Sequence, residues 1–399
     1  MLLVVFLLVL GLPVMRAGAD PACAAPKGVY TGPAPWAQDV LTPAREWPLS
    51  NGSGVQVAVL GTGVDPGNAQ FAPGQILPEI DLLAGAPSAP DCDGSGTFAA
   101  GLVGAQPNSG TSFAGLAPGA RILPIRYAAT GNPAGGADPN QLAIAIGRAV
   151  AVGSGVIVIT VPAGTDSNSL QLAVQNATAQ GDVVISPAVG TAPNATSYPT
   201  ATPGVIGVGG IGQTGLAVQA ESGTYIALAA PAANLVGTSA GARGQLGESW
   251  PVTGPAYAAA YVAGTVALLR SYHPALDPAQ ISTRLILTAS HNGGVGHDPH
   301  LGWGVLDPAA ALTSDLSPDA VAPTIGGLPN TATHPVTNSA THGSTGFPLR
   351  RIGLFMLLGV GLVAAVLAVL ASVRRGRSRR PAKAGDKPPN FPLHVDSNR

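Results

Sequence analysis

The chain has 399 residues, of which 46% are hydrophobic and only 10% charged, with two cysteines and a formal net charge of -1. At roughly 100 to 200 residues per domain this suits one large domain or two modest ones, and the apolar fraction excludes disorder throughout. A near-neutral balance leaves no global electrostatic footprint for nucleic acid.

The N-terminus begins with an apolar run, residues 2–12, that is too short to span a bilayer. With the small residues Ala17-Gly18-Ala19 behind it, it reads as a secretory signal over 1–19, cleaved after Ala19, although no Lys or Arg precedes the run. Residues 20–53 place Trp36 and Trp47 among prolines without periodicity, and this arm is expected to wrap the body. Cys23 and Cys92 lie in a segment read as exported, where they can form one disulfide or remain two free thiols; neither has the spacing of a metal site.

From 54 to 312, short β-branched runs alternate with Ala-rich stretches. Strands are predicted at 55–60, 121–126, 156–161, 183–186 and 205–208, with a further one at 225–229. Helical patterns are predicted at 97–104, 138–152 and 167–180. Alternation of this kind predicts an α/β fold, a parallel sheet with helices on both faces. Two helices, 256–271 and 278–288, close the domain, the second announced by an N-cap Asp277 followed by Pro278.

Residues 313–350 are rich in Pro, Ser and Thr and read as a tether. Residues 352–373 are an uncharged run of 22, which as a helix would extend roughly 33 Å and so match a hydrocarbon core of about 30 Å. Basic residues flank it. Residues 1–349 hold 9 Lys/Arg against 18 Asp/Glu, a net -9, whereas 374–399 hold 8 against 2, a net +6. By the positive-inside rule the expected topology is a single pass, with the body outside and the basic tail 374–399 in the cytoplasm.

Several segments, in order, resemble the subtilisin-like serine protease family. Residues 57–64 (VAVLGTGV) are similar to the strand that runs into Asp-Thr-Gly, and 91–97 (DCDGSGT) to the His-Gly-Thr helix start. Residues 115–120 (GLAPGA) resemble Gly-Val-Ala-Pro, and 254–264 (GPAYAAAYVAG) resemble the helix that presents the nucleophile. Tyr198-Pro199, 203–209 and Ala229-Ala230-Pro231 complete the series. The Asp-Cys-Asp segment, the signal, the tether, the single span and the basic tail resemble the mycosin branch, membrane-anchored subtilases that accompany type VII secretion. The resemblance implies a subtilisin-like fold, a Cys23–Cys92 bridge from arm to body, no cofactor, and partners among type VII secretion membrane core proteins.

It also implies where the chemistry would sit, and there the chain departs. The family's Asp falls on Gly61, its His on Ser95, its Ser nucleophile on Ala256 and its oxyanion Asn on Thr191. The triad needs a hydroxyl, an imidazole base and an orienting carboxylate, with a donor for the oxyanion. Gly61 and Ala256 carry no functional group, and Ser95 is no base at neutral pH. All seven histidines lie at 273 or later. Ser249 reads as an ordinary loop serine, and His297, Asp298 and His300 as surface rather than metal ligands. The expectation is a pseudoprotease, a structural component of a secretion complex rather than an enzyme. The alternatives are an active subtilisin-like endopeptidase using another site, and a peptide-binding module without turnover.

Overall fold

A computed structural model describes residues 23–83, 91–132, 136–291, 296–317 and 319–323. The chain divides into two units, Met1–Asn330 and Thr331–Arg399, and every described residue belongs to the first. The predicted signal 1–19, the apolar run 352–373, the tail 374–399 and most of the tether lie outside the described residues. Among the described residues no helix is long and apolar enough to cross a membrane.

The arm carries two short helices, α1 (Trp36–Leu41) and α2 (Pro43–Glu46). The body opens with β1 (Gln56–Gly61), β2 (Ile80–Asp81), α3 (Ser95–Gly104), β3 (Arg121–Arg126) and α4 (Pro139–Ala151). It continues through β4 (Gly155–Ile159), α5 (Asn168–Ala179), β5 (Val183–Pro187), β6 (Val205–Ile211) and β7 (Ile226–Pro231). A small antiparallel pair, β8 (Leu235–Thr238) and β9 (Glu248–Val252), precedes α6 (Ala256–Tyr272), α7 (Pro278–Thr288) and α8 (Pro308–Thr313). The predicted tether therefore starts inside the last turn of α8.

Strands β2-β3-β1-β4-β5-β6-β7 form one parallel sheet, as the alternating pattern predicts. Its central strands are apolar on both faces because both are covered. In β1, Val57 and Val59 join the core beneath α3 and α6, while Ala58 and Leu60 join the core beneath α4 and α5. β4 divides the same way, with Val156 and Val158 on one side and Ile157 and Ile159 on the other. α6 is buried from Ala258 through Leu269, which explains why its sequence is apolar all round.

Helix starts follow local chemistry. Asp138, Asp277 and Asp307 each cap a helix whose first residue is proline, and their side chains accept first-turn backbone N–H groups. α1, α2 and α6 start without a side-chain cap, and so does α3, whose N-cap is Gly94 at φ 85°. Its three leading N–H groups find acceptors elsewhere, and that arrangement builds the candidate site.

Residues 23–53 run across the body. Lys27 N donates to Glu248 O at 2.9 Å and Glu248 N to Gly28 O at 2.8 Å, so the arm pairs with β9. Trp36 Nε1 donates to Ala233 O at 2.8 Å, Trp47 Nε1 to Leu116 O at 2.9 Å and Ser50 Oγ to Leu268 O at 2.9 Å. Cys23 and Cys92 form a disulfide, and Ala24 N donates to Cys92 O at 2.8 Å.

Candidate functional site

The site lies at the C-terminal end of β1, where Gly61 is followed by Thr62, and at the N-terminus of α3, which begins with Ser95. The three leading amides of α3 are each accepted by a side chain. Ser95 N donates to Asp93 Oδ1 at 3.2 Å, Gly96 N to Thr62 Oγ1 at 3.0 Å and Thr97 N to Asp91 Oδ2 at 2.7 Å. Orphan N–H groups at a helix start must be satisfied, and here side chains of neighbouring loops do it.

Asp91 is the hub. Besides Thr97 N it accepts the Thr97 hydroxyl at 2.7 Å, Gly94 N at 2.9 Å and the Thr62 hydroxyl at 2.8 Å. Burial pushes its carboxyl up from the ordinary range, while the bonds from Thr97, Thr62 and Gly94 pull it back down. Because the Thr62 proton goes to Asp91, the Ser95 hydroxyl, 3.1 Å from Thr62 Oγ1, is the donor of that pair. Ser95 Oγ thus gives its proton to a neutral hydroxyl, the reverse of what an activated base would do.

Position 61 has no room beside it. Thr160, which follows β4, donates its hydroxyl to Leu60 O at 3.0 Å, and a Cβ on Gly61 would overlap Thr160 Oγ1. Behind this lies a carboxylate rim. Glu79 Oε2 accepts Val64 N at 3.1 Å, and Arg126, which is in register with Gly61 on β3, pairs with Asp81 at 3.7 Å. Burial raises Glu79 to about 7, against the downward pull of the Val64 bond and of Arg126.

Ala256 opens α6, and the next residue, Tyr257, packs its ring on Phe98 of α3 with centroids 4.6 Å apart. The structure thus joins the α6 start to α3, and α3 to the end of β1. Thr191 is exposed in the loop after β5, and Glu221 fixes that loop from inside. Glu221 is fully buried and accepts Gly190 N at 2.7 Å, Ser197 N at 2.7 Å, Ser197 Oγ at 2.6 Å and the Tyr225 hydroxyl at 2.8 Å. Burial, then Glu221, pushes the Tyr225 hydroxyl up, which keeps it a donor.

Of the described histidines, His273, His297 and His300 are engaged elsewhere. α6 has 17 residues, so His273 at its far end stands about 25 Å from Ala256, and its Nε2 lies 3.1 Å from Leu312 O. His297 Nε2 contacts Ile226 O at 2.7 Å and His300 Nδ1 contacts Glu221 O at 3.0 Å. Asp298 accepts His300 N and Leu301 N. Among the described residues no cluster of three His, Cys, Asp or Glu is arranged to hold a metal ion. Sequence reasoning did not find Thr160, Glu221 or the hub role of Asp91. Only the Asp-Cys-Asp spelling hinted at the last.

A twisted parallel sheet covered by helices on both faces, with one helix starting beside the end of β1 and a buried helix presenting its N-terminus to it, is the architecture of the subtilases. The subtilase family profile matches residues 52–304, and the chain belongs to that family. Its similarity runs to the mycosins. It is 33% identical to mycosin-1 of Mycobacterium tuberculosis over an alignment that covers 87% of this chain and 86% of the relative. Against mycosin-4 of the same organism the identity is 30%, over 85% of this chain and 82% of the relative. The crystal structure of MycP1 from Mycobacterium smegmatis superposes with a TM-score of 0.65 at 29% identity, covering 77% of this chain and 93% of that one. A second solved structure, of a serine protease MycP1 described as an essential component of the type VII (ESX-1) secretion system, gives a TM-score of 0.63 at 33% identity, over 74% of this chain and 93% of that one.

Proposed function

We propose that this chain is a membrane-anchored mycosin-like pseudoprotease, a structural or stabilising component of a type VII secretion membrane complex. One observation carries the reading. At the three places where the subtilase fold assembles its triad, the end of β1, the start of α3 and the start of α6, the chain has Gly61, Ser95 and Ala256. None of these is a base, a carboxylate or a nucleophile with a base beside it, and Thr191 has no oxyanion to meet. In subtilisin itself, loss of the nucleophile or the base lowers the rate by about six orders of magnitude. The apolar run 352–373 and the basic tail supply the anchor, with the body on the extracytoplasmic side. The secretion partner follows from the mycosin relatives.

Two assays test the reading. A serine-directed fluorophosphonate probe is expected to leave the detergent-extracted chain unlabelled under conditions that label an active subtilase, and a mixed peptide library is expected to stay uncut. Labelling at any serine, with cleavage abolished by the same probe, would overturn it. Mild extraction of the tagged chain is expected to bring membrane core components of the secretion system with it. Recovery of the chain alone would remove the structural role.

A further inference from the structure

In open α/β sheets, ligands settle in the crevice beyond the carboxyl ends of neighbouring strands whose connections leave to opposite faces. Here that place lies beyond β1 and β4. The helix that follows β1 on this side, α3, packs in one core, and α5, which follows β4, packs in the other. An extended peptide would bind there by adding itself as a strand to a backbone edge with open N–H and C=O groups. The edge available is the continuation of β4, residues Val161, Pro162 and Ala163.

That edge is already occupied. Val161 O accepts the Tyr127 hydroxyl, and Pro162 has no N–H to give. Pro162 O accepts Ala137 N at 3.1 Å, while Ala163 exchanges both of its backbone groups with Tyr198, at 2.7 and 2.8 Å. Gly136 and Ala137 each make an isolated bridge to Ala163, the first antiparallel and the second parallel. All three edge residues are buried. The approach is tight as well, because a Cβ on Gly136, whose φ is 81°, would overlap Gly164 N, and one on Gly131 would overlap Ser95 Oγ.

We infer that residues 136 and 137, together with Tyr127 and Tyr198, are built-in occupants of this crevice, so that the chain itself takes up the backbone groups with which an extended peptide would otherwise pair. The crevice therefore neither cleaves nor holds peptide. The inference rests on the pseudoprotease reading and sharpens it, since it removes peptide capture as the surviving role of the fold.

Hydrogen exchange and peptide binding test it on the full chain in detergent. The amides of Ala137, Ala163 and Tyr198 are expected to exchange at least about a hundredfold more slowly than unstructured amides. A fluorescein-labelled library of unstructured peptides is expected to give no anisotropy change with the native chain up to about 100 μM. Gly136→Val, which cannot adopt the bridged position, is expected to gain at least about tenfold in affinity. Ala137→Pro removes the donor to Pro162 O and sets a ring carbon in its place, and is expected to gain in the same direction, which covers the case in which Gly136→Val misfolds. Exchange of Ala137 at loop rates, or equal binding by the native chain and Ala137→Pro, whether tight or absent, would overturn the inference. Peptide cleavage would instead overturn the pseudoprotease reading, so the two failures are distinguishable.

Discussion

Asp91 accepts both the backbone N–H and the hydroxyl of Thr97, each at 2.7 Å, and so holds the first turn of α3 from a position four residues before its first residue. Removing the carboxylate leaves buried donors of Thr97, Gly94 and Thr62 without an acceptor. Asp91→Ala is expected to cost about 3 kcal/mol or more, and Asp91→Asn nearly as much, because its amide presents donors to donors. Urea unfolding of the two variants would check this. A loss under about 0.5 kcal/mol for both would show that the hub is not needed.

Gly61 and Thr160 are expected to behave as a coupled pair. A Cβ at 61 overlaps Thr160 Oγ1, so Gly61→Ala is expected to destabilise by about 1 to 3 kcal/mol. Adding Thr160→Ala should recover most of that loss, giving a coupling energy on the order of 1 kcal/mol in a double-mutant cycle. Additive losses would mean that Thr160 does not guard position 61. A corollary of the proposed function is that introducing Asp, His and Ser at 61, 95 and 256 without changing residue 160 is not expected to give activity.

Stability is expected to rise as pH falls from about 7 towards 4.5, because Glu46 and Glu79 are both raised from 4.5 to about 7, chiefly by burial. A folded-state carboxyl with a raised value binds its proton more tightly than the unfolded chain does. Each therefore costs stability when ionised above about 7, and the cost disappears as the pH falls to the unfolded value. Glu46 is 1% exposed and faces Asp307, while Glu79 is only partly buried and is discounted accordingly. The expected gain between pH 7.5 and pH 5 is on the order of 1 to 3 kcal/mol, and Glu46→Gln should flatten it. A melting temperature that falls steadily over that range would contradict the assignment.

Breaking the Cys23–Cys92 bond is expected to cost roughly 4 kcal/mol by loop-closure entropy, since it closes a loop with a sequence separation of 69. Cys23→Ala with Cys92→Ala, compared with the native chain in urea, measures it. The loss should be accompanied by faster exchange at the Lys27 and Tyr30 amides, which bond to Glu248.

Much of the sheet was legible because burial on both faces leaves an unmistakable trace, as in Val57-Ala58-Val59-Leu60. α6 was legible for the same reason. β9 was not, since it contains Pro251 and its Glu248 is fully buried, both foreign to a strand's sequence signature. α8 went unread although it repeats the Asp-Pro start that marked α7. The disulfide followed from the family resemblance rather than from spacing. At the candidate site the proposed triad positions 61, 95 and 256 rest on motif order. The occupant of the space beside them was not, because Thr160 lies 99 residues from Gly61 and nothing local marks it as a neighbour.

The arm's anchors also dictate an order of events. Trp36 bonds to Ala233, Tyr30 to Glu248 and Ser50 to Leu268, partners that lie 197, 218 and 218 residues downstream. A chain made from its N-terminus produces the arm about 200 residues before these acceptors. Until they appear, the arm can be held only through its nearer partners, such as Cys92 for Cys23 and Leu116 for Trp47. Its seating over β9 is thus a closing step of folding, available only to a chain whose C-terminal half has already taken shape.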